Sequence, residues 1–330
     1  MATQMTHWER LRATLKRQAT DRVPVSMWRH FYGDETSPEG LAEAMLGFQR
    51  RYDWDFMKVN PRASYHVEDW GVRTEYKGDA SPKVVETPIK KPEDWLKLSV
   101  LDINRGVLKE HLRSLELIGR GLKGEVPFIM TVFTPIAIAS RLVPSEDVFQ
   151  QNLREHTDKV RHALEVITET YANFSRACLE RGASGLFYAT TAWATRDRLS
   201  EEEYRKYARP FDLKLLSALP PAEFHVLHVC RQNNLLSAVW DYPVHAFNWD
   251  VRAAGNHSLA EGRALGSGSL VIGGLPHERN LVEASPMQLT AEITGMKAAL
   301  GEWWWILGPG CTFPPETPGA NLQAIREAVG

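Results

Sequence analysis

Cysteine is scarce in this chain of 330 residues: three thiols, Cys178, Cys230 and Cys311, with no close spacing. An odd, scattered set argues against a disulfide framework and fits a reducing cytoplasm. Each thiol is then free to be a core residue, a nucleophile or a metal ligand. Charge of one sign is also lacking. Lysine and arginine total 39 against 41 aspartates and glutamates, a formal net charge of −2. No basic face is implied, so nucleic acid is excluded as a partner class, and no acidic block is present. Long apolar runs are missing, none approaching the roughly 20 residues that span a bilayer. No membrane association is expected. The opening segment MATQMTHWERLRATLKRQATDRVPV is charged throughout. It has no apolar stretch of the kind a secretory signal needs, so a cytoplasmic protein is expected. No repeat, linker or low-complexity tract divides the chain, and one domain over 1–330 is expected.

What is present is a rhythm. With 43% hydrophobic residues the chain can bury a large core. Short apolar runs alternate with longer amphipathic ones. The strand candidates are 23–28, 55–60, 127–132, 184–189, 224–229, 245–250, 270–275 and 304–309. Helical spacing runs through 145–182, 200–219 and 284–300. Ser200 with Glu203 forms a capping-box signature for the second of these. Eight buried strands alternating with helices predict an α/β (β/α)8 TIM barrel. A doubly wound open sheet is the alternative, weakened because no G-x-G-x-x-G follows the first strand. Residues 61–104 turn and alternate like a small β excursion after the second strand.

The chemistry concentrates in FHVLHVCRQNN, 224–234. Side chains at i and i+2 of a strand share a face. His228 and Cys230 therefore face one point at a strand's carboxyl end, where barrel active sites lie. Cys311, in ILGPGCTFPP, follows the eighth candidate strand and is brought to the same mouth. One imidazole and two thiols suit zinc, and three protein ligands leave a position open for chemistry. Two thiolates balance the ion's charge, and a coordinated thiol is deprotonated. The competing reading is structural: cysteine as a small buried hydrophobe and histidine satisfied by backbone.

Other groups divide similarly. Asp250 in NWD could orient His228 or cap the following turn. His66 and Glu68 could be a fourth ligand or a lid contact, or surface polar groups of the excursion. Arg141 could face the cavity or form a helix salt bridge. Arg29, at the end of the first strand, is an anion-binding candidate. His225 makes H-x-x-H with His228 but points to the opposite face, and is excluded as a ligand. Cys178 lies in a helical pattern and reads as core. The aromatic run EWWWIL (302–307) reads as packing.

Several stretches carry a family likeness: DRVPVSMWRH, TVFTPIAIASRL, TTAWATRDRLSEEEYRKYARPF, FNWD, VIGGL and LGPGCTFPPETPGANLQAI. In their order and spacing they resemble the uroporphyrinogen decarboxylase superfamily, over nearly the whole chain. The resemblance implies a (β/α)8 barrel. The decarboxylase's own motifs depart here. Arg29 is kept, but Gly33 stands at the second arginine of the first-strand signature. Asn60 stands at the catalytic aspartate, Ala192 (beside Trp193) at a serine, and Pro309 at the late histidine. Asn60 cannot supply an anionic charge to pyrrole nitrogens, and Gly33 cannot hold a carboxylate.

The superfamily's methyltransferase branch carries H-x-C and a distant cysteine in the eighth-strand loop, which His228, Cys230 and Cys311 match. The resemblance implies that these three bind Zn2+ and that the zinc activates the thiol of an acceptor such as coenzyme M. The sulfur would displace a methyl group from the cobalt of a corrinoid (cobalamin) carried on a partner protein. Arg231 stands where the family often has glycine; it could bind an anionic substrate group or be solvated. Arg29, Asn60, Trp193, Arg231 and Asp250 are the candidates for contacting substrate. Partners implied are a small-molecule substrate and a corrinoid-binding protein, with a homodimer admissible. Alternatives are a decarboxylase-like enzyme of porphyrin biosynthesis with an altered site, a zinc thiol transferase or lyase, and a non-catalytic barrel that binds a tetrapyrrole or corrinoid.

Overall fold

The computed structural model describes residues 4–265, 270–301 and 304–330. Its centre is a curled, parallel, seven-stranded sheet. The strands are β1 (Met57–Val59), β4 (Phe128–Phe133), β5 (Gly185–Ala189), β6 (Val226–Val229), β7 (Ala246–Trp249), β8 (Leu270–Leu275) and β9 (Trp305–Pro309), in that order across the sheet. Between β1 and β4 lies an antiparallel pair, β2 (Arg73–Glu75) and β3 (Lys83–Glu86). Strands buried along their whole length read as continuous apolar runs, as parallel strands covered on both faces must.

The first candidate strand, 23–28, forms no regular ladder. It makes one parallel bridge, Val25 to Leu307. Two reasons are local. Pro24 has no N–H to donate. The Val25 N–H is taken by the Asp55 carboxylate at 2.7 Å rather than by a neighbouring carbonyl. The segment still touches both edges of the sheet. Ser26 N–H donates to Leu307 O at 3.0 Å, and Asp55 N–H donates to Val25 O at 2.8 Å.

Alternation sorts the strands' side chains into two cores. Met57, Val59, Met130, Leu186, Leu227, Val229 and Trp249 join the helices in the larger cluster. Phe56, Ile129, Phe187, Val226, Ala246 and Ile306 fill the concave side with Trp28. His228 has the parity of Val226, and Lys58 and Asn60 that of Phe56. All three therefore point inward.

The helices follow from their caps. Residues 145–182 divide into Glu146–Glu155 and Thr157–Glu180, with His156 at the break. Ser200 caps Glu201–Tyr207 through the Glu203 N–H, and the Glu203 carboxylate returns to the Ser200 N–H. Ser285 does the same with Gln288 at the start of Pro286–Leu300.

The end of the sheet where the strands begin is sealed by charge. Fully buried Asp55 accepts from Arg10 at 2.6 Å, from Arg22 at 2.6 and 3.0 Å, and from His7 at 3.2 Å. Arg10 also forks onto Asp21, at 2.7 Å through each of two nitrogens. Planar guanidinium and carboxylate groups fit this geometry in pairs.

Candidate metal centre

At the other end, the strands deliver three side chains of two metal-ligating types to one point. His228 sits on β6, Cys230 just after it, and Cys311 just after β9. Their ligand atoms all lie within 4.8 Å of one another. The two sulfurs are 3.7 Å apart. Gly310 makes the approach of the second loop possible. A Cβ there would stand 2.9 Å from the Cα of Asp250, closer than side chains pack.

Asn248 orients the histidine. It is the register partner of His228 across β6 and β7. Its amide nitrogen donates to Ile272 O at 3.0 Å and Pro309 O at 3.1 Å. That leaves the amide oxygen facing His228 Nδ1 at 2.6 Å, so Nδ1–H is the donor. The lone pair is then on Nε2, which is buried and has no hydrogen-bond partner among the described residues. An orphaned acceptor beside two thiols is the donor set that zinc takes. The residues present fit the ion.

The thiols are unequal. Either sulfur can donate across their 3.7 Å contact, and sharing a proton between them holds Cys311 well below the usual thiol range while raising Cys230. Beneath them lie aromatic faces. Phe187 stacks on His228 at 5.2 Å between centroids, and Trp28 meets Phe187 edge-on at 5.4 Å.

Lys58 was not singled out by the sequence reading. Its ammonium stands 4.7 Å over the Phe187 ring and donates to Asn60 Oδ1 at 2.9 Å. Burial brings its pKa down to about 7, against the opposing pull of Cys311, Cys230 and Glu35. The available signal was a charged residue in the middle of a buried strand, two positions from Phe56 and from Asn60.

Two joined cavities open over the centre. The inner one, of about 240 Å³, is walled by Trp28, Lys58, Asn60, Phe187 and Trp193. The outer one, of about 1160 Å³, is lined by Arg198, Arg231, Asp250, Arg252 and Arg279. Cys230 and Cys311 belong to the walls of both. Trp193 is buried edge-on against Phe149. Arg231 sits in the left-handed region, with φ 69°. Its side chain has no hydrogen-bond or ion-pair partner among the described residues. Arg141 likewise faces the inner cavity without a salt bridge. Burial, and then the like charge of Arg231, depress its pKa against the pull of Glu146.

Three expectations are corrected. Arg29 faces away from the centre. It shares the outward parity of Met27, donates to Pro315 O at 2.6 Å and lies over Phe31, in a separate surface depression. His30 and Tyr32, of the other parity, line both cavities instead. Asp250 does not orient His228; Asn248 does, because it lies directly opposite in the register. The Asp250 carboxylate accepts from Arg252 N–H at 3.0 Å at the outer rim. His66 is a fully buried residue packed 4.3 Å from Phe133, not a surface group, and lies outside the metal cluster. Glu68 pairs with Arg62 at 2.9 Å.

The excluded or structural residues are placed as follows. His225 accepts from Leu186 N–H at the opposite end of β6. Cys178 is buried core, its thiol raised by burial. Trp305 of the aromatic run is buried; Glu302 and Trp303 lie outside the described residues. Among the described residues, no helix is long and apolar enough to cross a membrane.

A curled parallel sheet with its functional groups at the strands' carboxyl ends belongs to a widespread class of α/β enzymes. The chain belongs to the uroporphyrinogen decarboxylase (URO-D) family, whose model matches residues 6–330. Among its relatives is the methylcobamide:CoM methyltransferase MtbA of Methanosarcina acetivorans, 25% identical over 99% of this chain and 98% of the relative. The methylcobamide:CoM methyltransferase MtaA of Methanosarcina barkeri is 24% identical over 75% of this chain and 70% of its own. A solved methyltransferase from Methanosarcina mazei superposes with TM-score 0.84 at 23% identity, covering 98% of both chains. A B12-independent methionine synthase from Shewanella shares the fold at TM-score 0.60 and 10% identity, covering 93% of this chain and 96% of its own.

Proposed function

We propose that this protein is a zinc-dependent methyltransferase, moving a methyl group between a corrinoid protein and a small thiol acceptor. It would work in the cytoplasm as a single-domain (β/α)8 barrel, with segment 23–28 as the eighth stave. The observation that carries the reading is the orphaned His228 Nε2 facing the Cys230 and Cys311 sulfurs. The relatives, one matching end to end and one over three quarters of the chain, act on methylcobamide and CoM by name, which supports the corrinoid and thiol assignments.

When bound by His228, Cys230 and Cys311, zinc supplies a positive centre that keeps an acceptor thiol ionised at neutral pH. The chain's own residues do the rest. Asn248 holds the imidazole in the Nδ1–H tautomer, leaving Nε2 free to bind. Trp28 and Phe187 give the inner cavity apolar walls beside His228, which strengthens charge interactions there. Arg231 and Arg141, with no ion-pair partner among the described residues, are suited to an anionic tail on the acceptor. The 1160 Å³ outer cavity leaves room for a carrier's prosthetic group to reach the sulfurs. Retained decarboxylase activity is disfavoured, because Asn60 is neutral and already paired with Lys58 and Thr312.

Metal analysis with a variant tests this. Purified protein carries one zinc per chain and demethylates methylcobalamin in the presence of 2-mercaptoethanesulfonate. Cys311→Ala loses both, with activity falling at least about a hundredfold as expected for a lost ligand. Full activity without zinc overturns the reading.

A further inference from the structure

Lys58 is a buried amine with no ion-pair partner among the described residues; the nearest opposing groups, Cys311, Cys230 and Glu35, act on it only at longer range. Its ammonium has three N–H groups. One donates to Asn60 Oδ1, and no carboxylate pairs with it among the described residues. The ammonium lies over the Phe187 ring, on the wall of the cavity that holds both cysteines. Burying such a group is costly unless something compensates it. A methionine of similar length would fill the same space without that cost, so packing does not explain a lysine here.

The charge count at the centre supplies an explanation. A divalent ion with two cysteine thiolates and a neutral imidazole is balanced. An acceptor thiolate added to that set brings the cluster to one net negative charge. Trp28 and Phe187 wall that charge with apolar surface. Resting on the zinc and thiol reading above, we propose that Lys58 is a positioning and specificity residue for the acceptor's sulfur. Its ammonium is a positive charge left over until a thiolate arrives and neutralises it, and its spare N–H groups point the sulfur at the centre. Asn60 holds the ammonium in place, a function suited to a neutral amide. An aspartate there would pair with the ammonium and cancel it. This deepens the reading in one respect: the inner cavity selects acceptors that bind as anions through the reacting atom itself, separately from any charge on their tails. Alcohols and thioethers, which stay neutral, are refused.

The test uses Co2+-loaded protein and 2-mercaptoethanol, a thiol with an uncharged tail, so that the arginines at the mouth do not contribute. Binding is read from the change in cobalt–thiolate absorption on titration. Lys58→Met binds Co2+ as the parent does but holds 2-mercaptoethanol about tenfold to a hundredfold more weakly, the loss expected for a charge-assisted hydrogen bond. Lys58→Arg restores part of the affinity. The thermal midpoint of metal-free Lys58→Met is equal to or above the parent's, which separates this role from a structural one. Unchanged thiol affinity in a fully loaded Lys58→Met overturns the assignment while leaving the metal centre standing. Failure of the parent itself to take up Co2+ or Zn2+ overturns the underlying reading, and this inference with it.

Discussion

Asp55 and Lys58 lie three residues apart on one short stretch, and they meet opposite fates. At the closed end Asp55 is surrounded by donors: two arginines, a histidine and the Val25 N–H. At the open end Lys58 has one hydrogen-bond partner among the described residues, a neutral amide. The same contrast separates the two ends of the whole sheet. Below, arginine and aspartate are matched fork to fork. Above, Arg141, Arg231 and His228 Nε2 have no partners among the described residues. Charges that seal a fold are satisfied by the fold. Groups left unsatisfied in a concave, water-poor place are waiting for something from outside.

The contrast is sharpest if the two ends fail differently. The largest effect on stability is expected at the closed end. Asp55→Ala strands two buried guanidinium groups and should cost about 3–5 kcal/mol by denaturant unfolding. Metal uptake per folded molecule should stay normal. At the open end, Asn248→Leu removes the acceptor that fixes the imidazole. Metal affinity should fall about tenfold to a hundredfold in competition with a chelator, and methyl transfer with it. Its stability loss should be smaller than that of Asp55→Ala. A stability loss as large as that of Asp55→Ala would break the contrast.

The smallest effect concerns pH. Burial alone would depress His7, but hydrogen bonds and charge from Asp53 and Asp55 outweigh it and push its pKa up to about 9. Its ordinary value is 6.5. A raised pKa means that the folded state holds the proton more tightly. The stabilisation is therefore complete below pH 6.5 and is lost as pH rises through 9. The amount is on the order of 1 kcal/mol, because His7 is partly screened by solvent. His7→Gln should flatten unfolding free energy across that window; an unaltered slope would remove His7 from the sealing network.

Much of the open end was legible in advance because strands obey a period of two. His228 and Cys230 share a face by that rule, and Cys311 follows from the strand order. Arg29 was misplaced because its segment makes only one bridge, and its parity could be read only against Met27 and Trp28 in the folded sheet. Asn248 was passed over for Asp250 because the choice depends on register between β6 and β7, which no single strand encodes. The closed end was not legible. Arg10, Arg22 and Asp55 belong to three separate segments, and nothing in any one of them announces the others.

The two sulfurs stand 3.7 Å apart across 81 positions of chain. They come from β6 and β9, which are not neighbours in the sheet. An ion held by both is therefore also a clasp, closing a long loop and fixing the curl of the last four strands. Loop-closure entropy makes such a clasp worth more the longer the span it joins. Metal content and resistance to unfolding should rise and fall together in this protein, so a preparation stripped by chelator would be slacker in its final third before it was merely inactive.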